Sequence, residues 1–173
     1  MPTSSTKLQM LAFSAIVDAT LLQIHKSIGL TVLMLSVLRV IWRLMNPVPA
    51  LPADMHPALR ALARGTHYLL YFLIITIPLS GWLFVSASPR GLPTTYFGLF
   101  RWPYFWFLAD LPRTAKQVWS HNLFAVHMYL AWSAIVLIVT HVCGALYHQF
   151  FRRDDILKRM LPGTRVTELE AAE

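Results

Sequence analysis

The sequence predicts an all-α integral membrane protein, a helical bundle with three clear transmembrane helices. Hydrophobic residues make up 56% of its 173 residues and charged residues only 13%, whereas soluble domains carry roughly 25% charged residues. A soluble core of this size cannot hide so much apolar surface, so lipid is the expected solvent. The apolar residues are also gathered in three runs, each long enough to cross a bilayer, which takes about 20 residues. The length is that of one domain.

The three predicted spans cover residues 20–44, 66–85 and 123–151. The Pro-rich stretch 46–52 ends the first helix and forms a loop. Pro78 and Gly81 lie inside the second span and predict a kink, which membrane helices tolerate.

The predicted organisation has three parts: a short apolar N-terminal segment (1–19), a membrane domain (20–162) and a polar C-terminal tail (163–173). The apolar run at 8–17 is too short to span a bilayer. A partial or peripheral helix is one interpretation of it. A signal peptide is another, although no Ala-x-Ala cleavage site follows.

The net charge of +7 follows a membrane pattern, because the basic residues cluster beside the apolar runs. That distribution argues against nucleic acid as a partner. The first loop and the C-terminal tail, with their flanks, carry nine basic residues: Arg39, Arg43, Arg60, Arg64, Arg152, Arg153, Lys158, Arg159 and Arg165. The second loop carries four: Arg90, Arg101, Arg113 and Lys116. This bias predicts a cytoplasmic C-terminus. The aromatic segment 96–107 then lies at the outer interface, as a belt or a short surface helix.

The histidines are the candidate functional residues. Cys143 is the only cysteine, which excludes an internal disulfide and a cysteine metal cluster. Histidines inside membrane spans are rare and suggest a functional site. His127 and His141 are fourteen residues apart, so on a helix they share a face to within about 40° and differ in depth by roughly 21 Å. Neutral imidazoles at two depths suit two stacked haems.

A haem needs a second axial ligand from a facing helix at the same depth. His25 opens the first span on the outer side and matches His127 in depth, so the two can close one bis-histidine site. Gly29, one turn after His25, would relieve crowding against a flat macrocycle. The alternative is that both histidines are interfacial polar residues, bonded to headgroups or to each other.

At the inner boundary, His67 opens the second span and His148 follows His141 by seven residues. The two match in depth. Haem propionates, a quinone headgroup or a proton path are candidate partners for them. Ordinary snorkelling of polar side chains at the helix ends is the alternative.

Several segments together resemble the prokaryotic cytochrome b561 family. The second helix of that family is similar to residues 22–33, LQIHKSIGLTVL, followed by 38–44, LRVIWRL. The resemblance continues, in order, through the loop prolines Pro47, Pro49 and Pro52, the segments THYLLY (66–71), IPLSGW (77–82) and FGLF (97–100), the histidine spacing, and LKRMLP (157–162). The cytochrome b subunits of nickel-iron hydrogenases and formate dehydrogenases are similar in helix plan.

The resemblance implies a four-helix bundle in the bacterial inner membrane that holds two b haems and carries single electrons to or from the quinone pool. His25 and His127 match the outer haem ligands of the family, and His141 matches one inner haem ligand. His67 and His148 match positions near the inner haem and a quinone or quinol site. Superoxide is one candidate electron donor, since the basic second loop would attract an anion.

One departure concerns the family's first helix, which supplies the second inner-haem ligand. This chain has no histidine before His25, so the helix is missing or diverged, through either a truncated start or a genuine loss. We therefore expect one firmly bound haem and a second bound weakly or not at all. Two other functions stay open: a haem-binding anchor subunit of a larger dehydrogenase or hydrogenase, and a haem-free small transporter. A redox protein or a second copy of the chain are the candidate protein partners.

Overall fold

The computed structural model describes residues 4–46, 57–91, 93–147 and 150. Its elements are, in chain order, α1 (Ser4–Met45), α2 (Pro57–Ser86), β1 (Thr94–Tyr96), β2 (Phe100–Trp102), α3 (Trp106–Ala109) and α4 (Arg113–Tyr147). Three helices are long and apolar enough to cross a membrane, over Leu11–Met45, Arg60–Ser86 and Arg113–Tyr147. The prediction of a helical membrane fold with three spans is thereby confirmed.

The three long helices, α1, α2 and α4, all begin earlier than the predicted spans at 20, 66 and 123. Helix α1 already starts at Ser4 and continues through residues 4–19 into the first span. It contains no proline, so nothing interrupts its backbone hydrogen bonding. Helix α4 starts at Arg113, directly after Pro112. The division of the chain at residues 19 and 162 stays a prediction.

The described chain divides into two compact units, one up to Ala131 and one from Trp132 onward. In the first unit α1 and α2 pack together, and a Cβ atom built on Gly29 would lie 3.9 Å from Cβ of Pro78. Helix α2 continues through Pro78. The second unit contains the C-terminal part of α4, whose Val136 and Val139 side chains are exposed.

The surface of the spans is apolar and the buried contacts include small polar residues. Leu35, Leu38 and Phe72 are among the many large apolar side chains that are more than half exposed. Small hydroxyl residues are buried instead, namely Ser27, Ser36, Ser80, Ser86 and Thr94. Small residues let membrane helices approach closely, while lipid covers the apolar exterior.

The aromatic segment 96–107, expected to be an interfacial belt or a short surface helix, contains most of a β-hairpin and the start of a short helix. Strands β1 and β2 are antiparallel, with Tyr96 opposite Phe100. Phe97 and Gly98 both have positive φ, 46° and 76°, and the Leu99 amide donates to the Tyr96 carbonyl at 2.9 Å. Thr, Tyr, Phe and Trp favour strands, and Gly98 supplies part of the tight turn that closes them. A helix does follow, but it is only the short α3.

Candidate functional site

His25 of α1 and His127 of α4 face each other across the first unit. Their ring centroids lie 6.1 Å apart and their ring planes are nearly perpendicular, at 89°. Both line a cavity of about 310 Å³. The remaining wall includes Leu30, Trp82 and Met128, so its lining is mostly apolar.

The spacing of the two rings would allow both to bind one metal ion. With metal–imidazole bonds of about 2.0 Å, as on zinc, the centroids of two ligating rings would lie about 6 Å apart. The observed 6.1 Å agrees with that value. Perpendicular ring planes are compatible with it, because each ring is free to rotate about its own metal–nitrogen axis. Two imidazoles in an apolar cavity are the donor set that haem iron takes in b-type electron carriers.

The His127 ring is oriented by helix α2. Its Nδ1 lies 3.0 Å from the Ile77 carbonyl oxygen and 3.1 Å from the Ser80 hydroxyl. The Ser80 hydroxyl itself donates to the Ile77 carbonyl, at 2.7 Å. Because a carbonyl only accepts, we assign the His127 ring proton to Nδ1. The lone pair on Nε2 is then available to a metal, as in other protein sites where the second ring nitrogen is hydrogen-bonded.

Gly81 makes room for this ring. A Cβ atom at that position would lie 3.1 Å from Cε1 and 3.3 Å from Nδ1 of His127. Both distances are shorter than a normal van der Waals contact between carbon and ring atoms. Any larger residue at position 81 would therefore displace the imidazole.

The hairpin contributes to one part of the cavity wall. Thr94 of β1 and Lys26 of α1 both line it. The Lys26 ammonium donates to the Pro93 carbonyl at 3.0 Å, and the Gln23 amide donates to the same oxygen at 2.8 Å. After β2, the Pro103 carbonyl accepts a hydrogen bond from the Trp82 indole of α2 at 2.9 Å. These polar contacts fix the connecting segment on the helices.

Of the other predicted histidines, the structure describes His67 and His141. His67 is exposed on α2, about 16 Å along the helix axis from the cavity-lining Pro78. His141 is half-buried on the part of α4 that belongs to the second unit. His148 lies outside the described residues. Within the described ranges, no group of three or more His, Cys, Asp or Glu side chains is placed to hold a metal ion.

Residues 3–163 match the model of the prokaryotic cytochrome b561 family. The chain belongs to that family. It is similar to cytochrome b561 homolog 2 of Escherichia coli (strain K12), with 40% identity over 141 residues, which cover 80% of this chain and 69% of the relative. It is also similar to probable superoxide oxidase CybB of Yersinia pestis, with 30% identity over 142 residues, or 82% of this chain and 75% of the relative.

Family membership confirms the resemblance and the general function, electron transfer by a membrane cytochrome. The chain is a bacterial membrane b-type cytochrome of electron transfer, and a lipid bilayer surrounds its spans. The family binds b-type haem in general.

Two features of the site were not found from the sequence. The sequence predicts a kink at Gly81 but not its contact with the His127 ring. Ser80 carried no signal of its own, because a serine in a membrane helix usually bonds only within its helix. The motif IPLSGW contains both residues, together with Ile77. The only sequence feature that points to these two roles is His127, which is predicted at matching depth on a facing helix.

Proposed function

We propose that this chain holds a b haem between His25 and His127 and exchanges single electrons with the quinone pool. The observation that carries the proposal is the 6.1 Å separation of the two imidazole centroids across an apolar cavity. When bound, haem iron supplies a one-electron redox couple, while the protein supplies ligands, orientation and electrostatics.

Each residue of the site then has a definite task. Ile77 and Ser80 hold the proton on Nδ1 of His127 and so present Nε2 as the ligand. Gly81 leaves the ring its space. The apolar wall, with Leu30 and Met128, excludes water and lowers the local dielectric. A mostly apolar pocket of this kind lets the protein set the iron potential.

We propose a single firmly held haem for this chain. His141 is the candidate ligand for a second, inner haem, and no other histidine in this sequence matches the family's partner for it. His67 and His148 are proposed to serve a quinone headgroup or the inner haem region. The nine-to-four bias in basic residues supports a cytoplasmic C-terminus in the inner membrane.

Superoxide is the proposed electron donor. One relative carries the name probable superoxide oxidase. The segment between α2 and α4 supports an anionic donor. Arg90 and Arg101 are exposed there, Arg113 is exposed at the start of α4, and all three would attract an anion. Superoxide would give up one electron and leave as dioxygen. Two such electrons and two protons convert one quinone to a quinol.

The test is spectroscopy on the purified chain after expression with ample haem. We expect one low-spin haem per chain by pyridine haemochromogen, reducible by a short-chain quinol and by superoxide. Absence of a Soret band would contradict the haem proposal. A low-spin haem that no quinol reduces would contradict the quinone part alone, and co-purification of a dehydrogenase subunit as the required electron donor would favour an anchor role.

A further inference from the structure

Two arginines of α1 converge on one tyrosine of α2, away from the cavity. Arg39 and Arg43 are one turn apart, so their side chains lie on the same helix face. Nε of Arg39 donates to the Tyr71 hydroxyl at 3.3 Å. The guanidinium carbons of Arg39 and Arg43 lie 5.8 and 5.1 Å from the centroid of the Tyr71 ring.

The residues around this cluster, Arg39, Arg43 and Tyr71, have the composition expected at a membrane interface. On α2, Tyr71 comes one turn after His67, where the polar start of the helix passes into its apolar run. On α1, Trp42 lies between the two arginines and is 70% exposed. Exposed tryptophan beside arginine is typical of the headgroup region of a bilayer. The leaflet concerned is the one on the side of the α1–α2 loop.

The cluster holds two positive charges together without a carboxylate partner among the described residues. The acidic side chains that the structure describes are Asp18 and Asp110. Asp18 lies about 30 Å from Arg39 along α1, and Asp110 follows α3, beyond the opposite end of α2. A guanidinium over an aromatic ring keeps the N–H groups at its edge for other acceptors. An oxyanion would accept from both arginines and relieve their mutual repulsion.

We propose that Arg39, Arg43 and Tyr71 bind the phosphate group of an anionic phospholipid. The surface beside the cluster fits an acyl chain, because Leu35, one turn before Arg39, is 60% exposed and Phe72 is 55% exposed. Free phosphate would make no use of that apolar track. The haem cavity is too distant to share its ligand, since Gly29 in the cavity wall lies about 15 Å from Arg39 along α1. This site is therefore separate from the cavity between His25 and His127.

The experiment measures lipid that stays bound to the haem-loaded full chain. The protein is reconstituted in nanodiscs of mixed phosphatidylcholine and phosphatidylglycerol, extracted in mild non-ionic detergent, and its retained lipids are counted by mass spectrometry. We expect phosphatidylglycerol to be retained preferentially. The double variant Arg39→Gln, Arg43→Gln should lower that retention about tenfold or more. Arg64→Gln, which removes an exposed arginine of α2 on the same side, is the matched control and should change nothing.

Three results would overturn the proposal. Equal phosphatidylglycerol retention by wild type and the double variant would show that the cluster binds no lipid. Displacement of the lipid by inorganic phosphate would reassign the site to the free anion. Loss of haem instead of lipid in the double variant would reassign the cluster to the haem carboxylates.

The variant Arg39→Lys, Arg43→Lys keeps both positive charges and so tests whether an effect of the double variant comes from misfolding. It should still lose affinity, because lysine lacks the bidentate geometry of arginine.

Discussion

The His127 ring donates from Nδ1 to the carbonyl oxygen of Ile77, 3.0 Å away on the neighbouring helix α2. This bond decides which nitrogen of the ring is available as a ligand. It also links the His127 ring on α4 to the backbone of α2. The acceptor lies next to Pro78, which lacks a backbone N–H and so removes one hydrogen-bond donor from that helix.

Gly81→Ala should disturb the haem site without unfolding the helix. The new Cβ would lie 3.1 Å from Cε1 of His127, so the ring must move away from its present position. We expect haem retention to weaken about 10–100-fold, as for other changes that misplace a ligand. Haem content after gel filtration measures this. Gly65→Ala on the same helix, where a Cβ meets nothing within 4 Å, should keep full haem content, and equal behaviour of the two variants would contradict the role of Gly81.

Ser80→Ala should have a milder effect. The variant removes one of the two acceptors of the His127 Nδ1 proton, but the Ile77 carbonyl remains. We expect the haem to stay bound while its midpoint potential shifts, because the hydrogen bond to a ligating imidazole tunes its basicity. Potentiometric titration measures the shift. The control is Thr76→Ala, whose hydroxyl bonds only within α2, to Phe72. A potential equal to that of this control would show that Ser80 does not act on the ligand.

Ser27→Ala should loosen the hairpin. Ser27 is only 1% exposed, and its hydroxyl oxygen accepts from the Phe97 amide at 3.0 Å. Its proton has two acceptors within reach, the Gln23 carbonyl at 2.9 Å and the Thr95 carbonyl at 3.2 Å. The variant leaves a shielded amide without its partner, which costs about 1–3 kcal/mol. We expect a lower thermal midpoint and faster proteolysis between β1 and β2. Ser14→Ala, an exposed serine bonded within α1, should leave both unchanged, and an unaffected Ser27 variant would argue against this attachment.

The sequence predicts the long elements of this fold better than its small contacts. The three spans can be predicted from the apolar runs, because a helix that crosses lipid needs about 20 apolar residues in sequence. The pairing of His25 with His127 was a depth argument, and the structure does bring the two rings together. The hairpin was not predicted, because an aromatic-rich segment at an interface is compatible with either a helix or a strand. The roles of Ser80 and Gly81 depend on a partner from another helix, and a single sequence does not specify such partners.

The orientation in the membrane gives a further prediction. We expect activity from a cytoplasm-specific reporter fused after Pro162, because the bias in basic residues predicts that the C-terminus is cytoplasmic. The same reporter inserted at Arg90, in the segment after α2, should be inactive. Alkaline phosphatase, which is active only outside the cytoplasm, is the reciprocal control at both positions. Phosphatase activity after Pro162 would reverse the topology and exchange the outer and inner sides.

The central claim is that His25 and His127 hold one haem between them. The most direct measurement is haem per chain and spin state, by pyridine haemochromogen and electron paramagnetic resonance, in His25→Ala, His127→Ala and His121→Ala. His121 is an exposed histidine of the same helix as His127 and serves as the control. The account predicts that the first two variants each lose the low-spin bis-imidazole signal, while His121→Ala keeps it at one haem per chain. A full low-spin signal in both His25→Ala and His127→Ala would contradict it.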